Sequence, residues 1–573
     1  MIARPRKTLQ RLAGVSLIGL AIGLIAAFAT TAFVEGIRFL NRLLLVSPAS
    51  RLGLEPVELF VVTTLSLTLG GLAVGLILRY GVDSGKPAGP VDTIYAVQLH
   101  ERLPSPRSGL FSTLAAATSL GCGASVGQYA PLVYLGTLVG QVTNRLPLGF
   151  AKVRSIAISC GVAAAISTAF NTPIAALIFT HEVILRHYSP RMFTAVAVAS
   201  ASGYLVDNVI FERTPLIQFS MFGDFRGVEL PLFALLGVAC GLLAVLFMKM
   251  LDRVRQLAAQ TALPAPLKPM LAGFLLSLVA WQVPEVLGAG EEVFRTAVHG
   301  YLFSSGDLLV ILVAKILVTA MCIGFGFAGG VFFPSLLIGA LFGALFAHLV
   351  PAQLLDGYSG LSTYAVCGTA ALMGPVIGAP MTALVLVFEF TRSYEITVAA
   401  MLAIVFANLV SHHWHARSQW DFELGARGID LSLGRERAYL RHQKVVRLAI
   451  DALPVLASAH TVGGLREQLR TATTKTAVIV DDDGNYLGQV SRTDLGKLQG
   501  SETVASLDFE NGKLFDETTS IWDAMQAMRN YIGEAIPVVD SRTGRYLGAV
   551  PESAVINAYL DAAQELRREE HEV

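Results

Sequence analysis

The sequence predicts an all-α polytopic membrane protein built from whole and broken helices, followed by a soluble α/β domain. Three observations predict it. The 573 residues are 53% hydrophobic and only 15% charged, where a globular chain carries about 25% charged residues. The charge is also unevenly spread: the first 411 residues hold 44 charged side chains at net +6, and the last 162 hold 42 at net −6. Finally, apolar stretches recur along the whole first part, many of them interrupted by glycine and proline. A bilayer accommodates such a body and water does not. The zero net charge hides this division and gives no reason to expect nucleic acid as a partner.

At the amino terminus Arg4, Arg6, Lys7 and Arg11 precede an apolar run from about Leu12 to Phe33. The run is too long for a secretory signal and many others follow, so it reads as a first membrane helix with its basic end in the cytoplasm. Uninterrupted apolar stretches lie near 58–79, 192–211, 231–251, 268–283 and 308–325. Between and beyond them, 109–143, 155–185, 324–350 and 365–411 are punctuated by glycine and proline. Several pieces fall short of the ~20 helical residues that cross a hydrocarbon core. Broken helices at that depth are tolerated where they face protein or a water-filled path, which points to transport. From His412 the texture becomes polar, and 412–445 reads as a cytoplasmic linker. The β-branched runs Thr476–Val480 and Ile536–Val539 then alternate with helical patterns, predicting an α/β domain over 446–573. The five cysteines sit in apolar surroundings without metal-type spacing and read as packing residues. No nucleophile–base set, metal cluster or phosphate loop is found, so an enzyme is not expected.

An internal repeat localises the site. Gly123–Gly140 reads GASVGQYAPLVYLGTLVG, and Gly326–Gly343 reads GFAGGVFFPSLLIGALFG. Pro131 and Pro334 are each followed by glycines at matched distances, Gly136 and Gly140 in one copy, Gly339 and Gly343 in the other. Downstream, NTPIAALIFTHE ending at Glu182 matches GAPMTALVLVFE ending at Glu389. Duplicated halves with matched breaks point to a transporter's binding site, and the copies are placed at about 55–210 and 230–411. Proline in a first turn favours a helix start, and helix N-termini offer unpaired N–H groups to anions. The segments Gly127–Pro131 and Gly330–Pro334 are therefore predicted to converge on one anion without a full opposing charge, which suits permeation. Close helix packing is the other use of such glycines, expected above all of Gly136–Gly140 and Gly339–Gly343.

On these residues the chain resembles the CLC chloride channels and chloride/proton antiporters with a carboxy-terminal pair of CBS modules, over roughly residues 15–570. The family's GSGIP loop is similar to Asp83-Ser84-Gly85-Lys86-Pro87, its GREGP loop to Gly127-Gln128-Tyr129-Ala130-Pro131, and its GxFxP loop is matched in full by Gly330-Val331-Phe332-Phe333-Pro334. Ala379–Thr391 also follows the family pattern. The resemblance implies two inverted halves with tilted, partly spanning helices, a homodimer in the bilayer with one curved anion path per subunit, and a plasma (inner) membrane location with cytoplasmic amino terminus and CBS modules.

The departures from the family decide the expected mechanism. Its gating glutamate is replaced by Tyr129, a phenol with a reference pKa near 10 that stays protonated where a carboxylate titrates. Tyr129 is thus expected to gate sterically or as a hydrogen-bond donor, with Asp83 considered as a substitute acid. The family's inner proton glutamate corresponds to Glu182, beside His181; an ion-pairing or interfacial role is the other reading of Glu182, and packing that of His181. Ser84 corresponds to the hydroxyl of the central anion site, while Ser418-Gln419-Trp420 is similar to the segment that supplies its tyrosine, so Trp420 brings an indole N–H instead. Lys86 stands where the family is apolar, either to attract anions or to snorkel to the interface. In the tail, Gly488–Asp494 fits the CBS nucleotide pattern through Ser491 and Asp494, but Pro551 and Ala554 break it in the second copy. The expectation is a chloride channel, passive and not proton-coupled. Its alternatives are an antiporter using Glu182 or a membrane nucleotide sensor. No cofactor is required; adenine nucleotide at the CBS pair is the candidate ligand.

Overall fold

A computed structural model describes residues 5–44, 55–99, 102–143, 154–213, 226–299, 303–355, 357–415, 417–432, 434–458, 461–471, 474–495 and 512–571. Two compact units emerge, Met1–Gly428 and Ile429–Glu572. The division falls within the stretch read as a linker, much of which is helical.

The first unit contains helices α1 (Pro5–Leu43), α2 (Pro56–Gly81), α3 (Pro90–Gln98), α4 (Pro106–Gly121), α5 (Tyr129–Thr143), α6 (Arg154–Phe170), α7 (Pro173–Phe179) and α8 (Pro190–Leu205). It continues with α9 (Leu230–Gln260), α10 (Leu267–Gln282), α11 (Glu291–His299), α12 (Ser305–Gly324), α13 (Phe332–Leu349), α14 (Leu361–Ile377), α15 (Pro380–Thr391), α16 (Tyr394–Trp414) and α17 (Gln419–Ala426). Seven helical stretches among the described residues are long and apolar enough to cross a membrane. Others are short: α3 and α11 have nine residues and α7 seven, as the Gly/Pro interruptions predict. Prolines in the first turns of α2, α3, α4, α7, α8 and α15 mark their starts.

The repeat seen in sequence recurs element by element. Helices α3 to α8 have counterparts in α11 to α16. Left-handed backbone recurs at matched positions too: Gly123 at φ 92° and Gly326 at φ 101° leave α4 and α12, and Arg186 (φ 54°) and Arg392 (φ 52°) follow α7 and α15.

Where α5 crosses α6 and α13 crosses α14, only glycine fits. A Cβ on Gly136 would overlap the carbonyl of Gly161, and one on Gly339 the carbonyl of Gly368. Gly140 and Gly343 lie as tightly against Ala157 and Tyr364, so the close-packing reading holds for these four. The five cysteines are buried and free.

The second unit is a repeat as well. After α18 (Arg435–His442), one copy contains β1 (Val455–Ala457), α19 (Val462–Thr471), β2 (Thr476–Val480), β3 (Tyr486–Ser491) and α20 (Arg492–Leu495). The other contains β4 (Phe515–Asp516), α21 (Ile521–Met528), β5 (Ala535–Val539), β6 (Tyr546–Pro551) and α22 (Glu552–His571). Each sheet has the order first-second-third, the first pair parallel and the second antiparallel, with an irregularity at the same place, Ile479/Val480 and Val538/Val539. The copies exchange backbone bonds, Tyr486 N–H to Gly544 O and Tyr546 N–H to Gly484 O, both 3.0 Å.

Overpacking a tight core costs about 1–3 kcal/mol. Gly136→Ala and Gly339→Ala are therefore each expected to lower the melting temperature in detergent. Gly425→Ala, where nothing lies within 4 Å of the added methyl, is expected to leave it unchanged or raise it; equal melting of all three would contradict this packing.

Candidate functional site

The two glycine turns meet. Gly127 N–H donates to Gly330 O and Gly330 N–H to Gly127 O, both at 2.8 Å, a two-bond bridge between residues at the same position of the two repeats. A Cβ on Gly127 would sit 2.8 Å from Pro334 Cδ and 2.9 Å from Gly330 O, and one on Gly330 would be 2.5 Å from Ala130 Cβ. Only glycine allows each turn to back onto the other's helix start. This corrects the sequence expectation in one respect: the N–H groups of Gly127 and Gly330 serve each other and are not offered to a ligand.

The donors that remain follow from the helix geometry. The first turn-closing bonds are Leu132 N–H to Gln128 O and Ser335 N–H to Val331 O, and Pro131 and Pro334 have no N–H. Gln128, Tyr129 and Ala130 in one copy, and Val331, Phe332 and Phe333 in the other, are left with backbone N–H groups that have no acceptor among the described residues. Two helix N-termini thus point unpaired donors and partial positive charge into one region.

Tyr129 and Phe332, again matched positions, stack face to face with centroids 3.6 Å apart and planes 7° apart. Tyr129 is 1% exposed. Phe179 meets it edge-on at 5.0 Å, Phe170 lies at 5.4 Å, and Trp420 approaches Phe179 at 5.9 Å. The tyrosine hydroxyl is buried without a partner among the described residues. Gln128, Tyr129, Ala130, Val331, Phe332 and Trp420 are therefore brought to one aromatic column. Sequence reasoning missed Phe170 and Phe179, which no spacing in the repeat singled out.

Short ties hold Trp420 in place. Its helix α17 is capped by Ser418 Oγ, which accepts from Asp421 N–H at 3.0 Å. Arg186 pairs with Asp421 at 2.7 Å, Arg427 with Asp92 at 2.8 Å, and Arg255 with Glu423 at 2.6 Å.

Ser84, Gly85 and Lys86 are not part of this column. They are exposed, and the Ser84 hydroxyl donates to Lys86 O at 3.1 Å and accepts Lys86 N–H at 3.3 Å. Asp83 accepts from Ser108 Oγ at 2.7 Å and Ser105 Oγ at 2.9 Å, at the N-terminus of α4, and these hydroxyls hold its carboxyl below its usual range. The start of α4 packs against α5 beyond its first turn, where a Cβ on Gly109 would meet Tyr134 and Leu138 at 3.1 Å. Both hydrogen bonds to the Asp83 carboxylate thus come from hydroxyls at the start of α4, and neither partner belongs to the aromatic column.

Glu182 reaches across the repeat boundary. Its Oε1 accepts Met381 N–H at 2.9 Å, and its Oε2 accepts Thr382 N–H at 2.8 Å and Thr382 Oγ1 at 2.7 Å, capping α15. Glu389 on α15 does the same for α7, accepting Ile174 N–H at 2.9 Å and Ala175 N–H at 2.7 Å. His181 is packed: Nδ1 lies 3.0 Å from Leu177 O, and the ring stacks on Tyr188 at 5.0 Å. In the second unit Ser491 Oγ lies 2.6 Å from Thr493 Oγ1; Asp494 is on α20, with its side chain outside the described residues.

Loss of a cap costs about 1–2 kcal/mol. Glu182→Ala and Glu389→Ala are each expected to destabilise the protein by that amount in detergent unfolding; a large effect from one and none from the other would contradict the reciprocal arrangement.

The sequence model of a family described as "Voltage gated chloride channel" matches residues 69–412, and that of the CBS domain matches 513–561. Among relatives, a ClcB-like chloride channel protein of Ralstonia nicotianae is 29% identical over 397 residues, covering 68% of this chain and 92% of its own. An H(+)/Cl(-) exchange transporter, ClcA of Citrobacter koseri, is 26% identical over 425 residues, 72% of this chain and 87% of its own. The solved structure of a eukaryotic CLC transporter superposes with a TM-score of 0.65 at 17% identity, covering 96% of this chain and 98% of that one, a likeness of fold.

Proposed function

Because the chain belongs to the voltage gated chloride channel family, a family of multi-pass membrane proteins that move anions, we propose that it conducts chloride and similar monovalent anions passively, without exchanging protons. The observation that carries this reading is the Tyr129–Phe332 stack at two facing helix N-termini. The donors around it are backbone N–H groups, which bind an anion weakly enough for it to leave. Neither ring ionises at ordinary pH, so the carboxylate-to-acid switch on which proton exchange rests has no group at this position. Glu182 is occupied as a helix cap on both oxygens, which supports the passive reading over antiport. The ring pair is the constriction, and conduction requires it to part.

By analogy with the family, the working form is a homodimer in the plasma membrane, with the amino terminus and the CBS pair in the cytoplasm and the Gln128 end of the column facing outward. At the CBS pair, adenine nucleotide has candidate contacts in one copy, Ser491 and Asp494, since Pro551 and Ala554 hold the equivalent places in the other.

In liposomes containing the purified protein, chloride efflux is expected to proceed with no stoichiometric proton uptake. Efflux that stops unless protons move oppositely would overturn the channel reading. Tyr129→Ala, which removes half of the stack, is expected to raise chloride flux several-fold, whereas Tyr129→Phe removes only an unpartnered hydroxyl and is expected to leave it unchanged.

A further inference from the structure

At the Gln128 end of the aromatic column lies a cavity of ≈ 860 Å³, walled by α1, the end of α6, and the segment that enters α11. Its charge is unexpected for an anion path. Three arginines line it, Arg38, Arg213 and Arg295, against five carboxylates, Asp207, Glu212, Glu285, Glu291 and Glu292. With all of them ionised, an approaching anion meets a net negative surface. Arg213 is already committed to Asp207 at 3.4 Å and to Glu35.

One of these carboxylates contacts the site directly. Glu291 Oε1 accepts from Gln128 Nε2 at 3.1 Å, and Gln128 is the chain neighbour of Tyr129. Glu291 is the first residue of α11, and the segment before it is braced twice. Gly288 N–H donates to Gly123 O at 2.8 Å. Behind the segment, the fully buried Lys315 of α12 donates Nζ to Val286 O at 3.0 Å and to Gly288 O at 2.9 Å. Gly123 belongs to the turn that leads to Gly127, so Glu291 is fixed relative to the column rather than carried on a loose loop. The corresponding segment of the first repeat, before α3, is tied from the same helix position with the donor reversed, Ala88 N–H donating to Ser112 Oγ at 3.1 Å. Ser112 and Lys315 occupy matched positions of α4 and α12.

We propose that Glu291 supplies from the second repeat the acid-sensitive gate that Tyr129 cannot provide in the first. Ionised, it ties up the Gln128 amide and repels anions at the mouth. Protonated, it removes one negative charge and frees the amide to donate to an entering anion. Burial pushes this carboxyl above its usual range, with Arg38 and Arg295 opposing and Glu292 adding to the rise. Glu285 and Glu212 share the cavity wall and act in the same direction as Glu292 on an approaching anion. The inference rests on the anion-conduction reading above and adds a regulator to it.

The test is chloride current through planar bilayers, with pH varied between about 8 and 5 on the cavity side alone, around the carboxylate range as shifted upward by burial. The wild type is expected to conduct several-fold better in acid. Glu291→Gln, isosteric and uncharged, is expected to conduct at the acid level throughout. Gln128→Ala keeps the carboxylate but removes a hydrogen bond that favours its ionised form, so its activation is expected to begin at higher pH. If Glu291→Gln does not fold, this shift alone decides the matter. Chloride current with the same pH profile in the wild type and both variants would overturn this inference and leave passive conduction standing. Absence of anion current at every pH would overturn both.

Discussion

Two hydrogen bonds, exchanged between Gly127 and Gly330, set the geometry of the whole site. They bring the loop–helix corners of the two repeats to backbone contact, closer than any pair of side chains permits. Once those corners are paired, the N-termini of α5 and α13 must face one another, and the residues two positions on, Tyr129 and Phe332, have little choice but to stack. The N–H groups of each first turn have no acceptor within their own helix, and Pro131 and Pro334 carry none. On the reading proposed above, what the site offers an anion comes from backbone arrangement and aromatic walls, with ionisable side chains kept at the margins.

The same logic recurs elsewhere. Glu182 and Glu389 each leave their own half to satisfy a helix start in the other. In the second unit, Tyr486 and Tyr546 exchange backbone bonds with the turns of the opposite copy. In each case the contact runs between matched positions, so each duplicated segment completes the hydrogen bonding of the other at these points.

Much of this was legible in the sequence, and the reason is periodicity. A duplication repeats its glycines and prolines wherever the backbone has no alternative, so Gly127 and Gly330 marked the site without any partner being known. Charge density divided body from tail because lipid excludes charge and water does not. The failures have physical causes as well. Counting free amides from a glycine loop overlooks that two such loops satisfy each other, which removed Gly127 and Gly330 from the donor set. Asp83 looked suitable as a spare acid, but sequence spacing could not show that its carboxylate is taken up by Ser105 and Ser108. Phe170 and Phe179 were invisible because an aromatic residue in an apolar run looks like any other. Glu291 belongs to a charged nine-residue helix whose sequence gives no sign that it closes over the column.

The crossed glutamate caps bear on how the molecule is made. The amides that open α7 emerge from the ribosome more than two hundred residues before Glu389, the group that satisfies them. During that interval the start of α7 lacks the carboxylate that its amides take in the finished fold, and an unpaired amide is costly wherever water cannot reach it. Biogenesis therefore has a vulnerable period in its middle, when the nascent first half is inserted but unfinished and needs water, lipid headgroups or an insertion partner to shelter it.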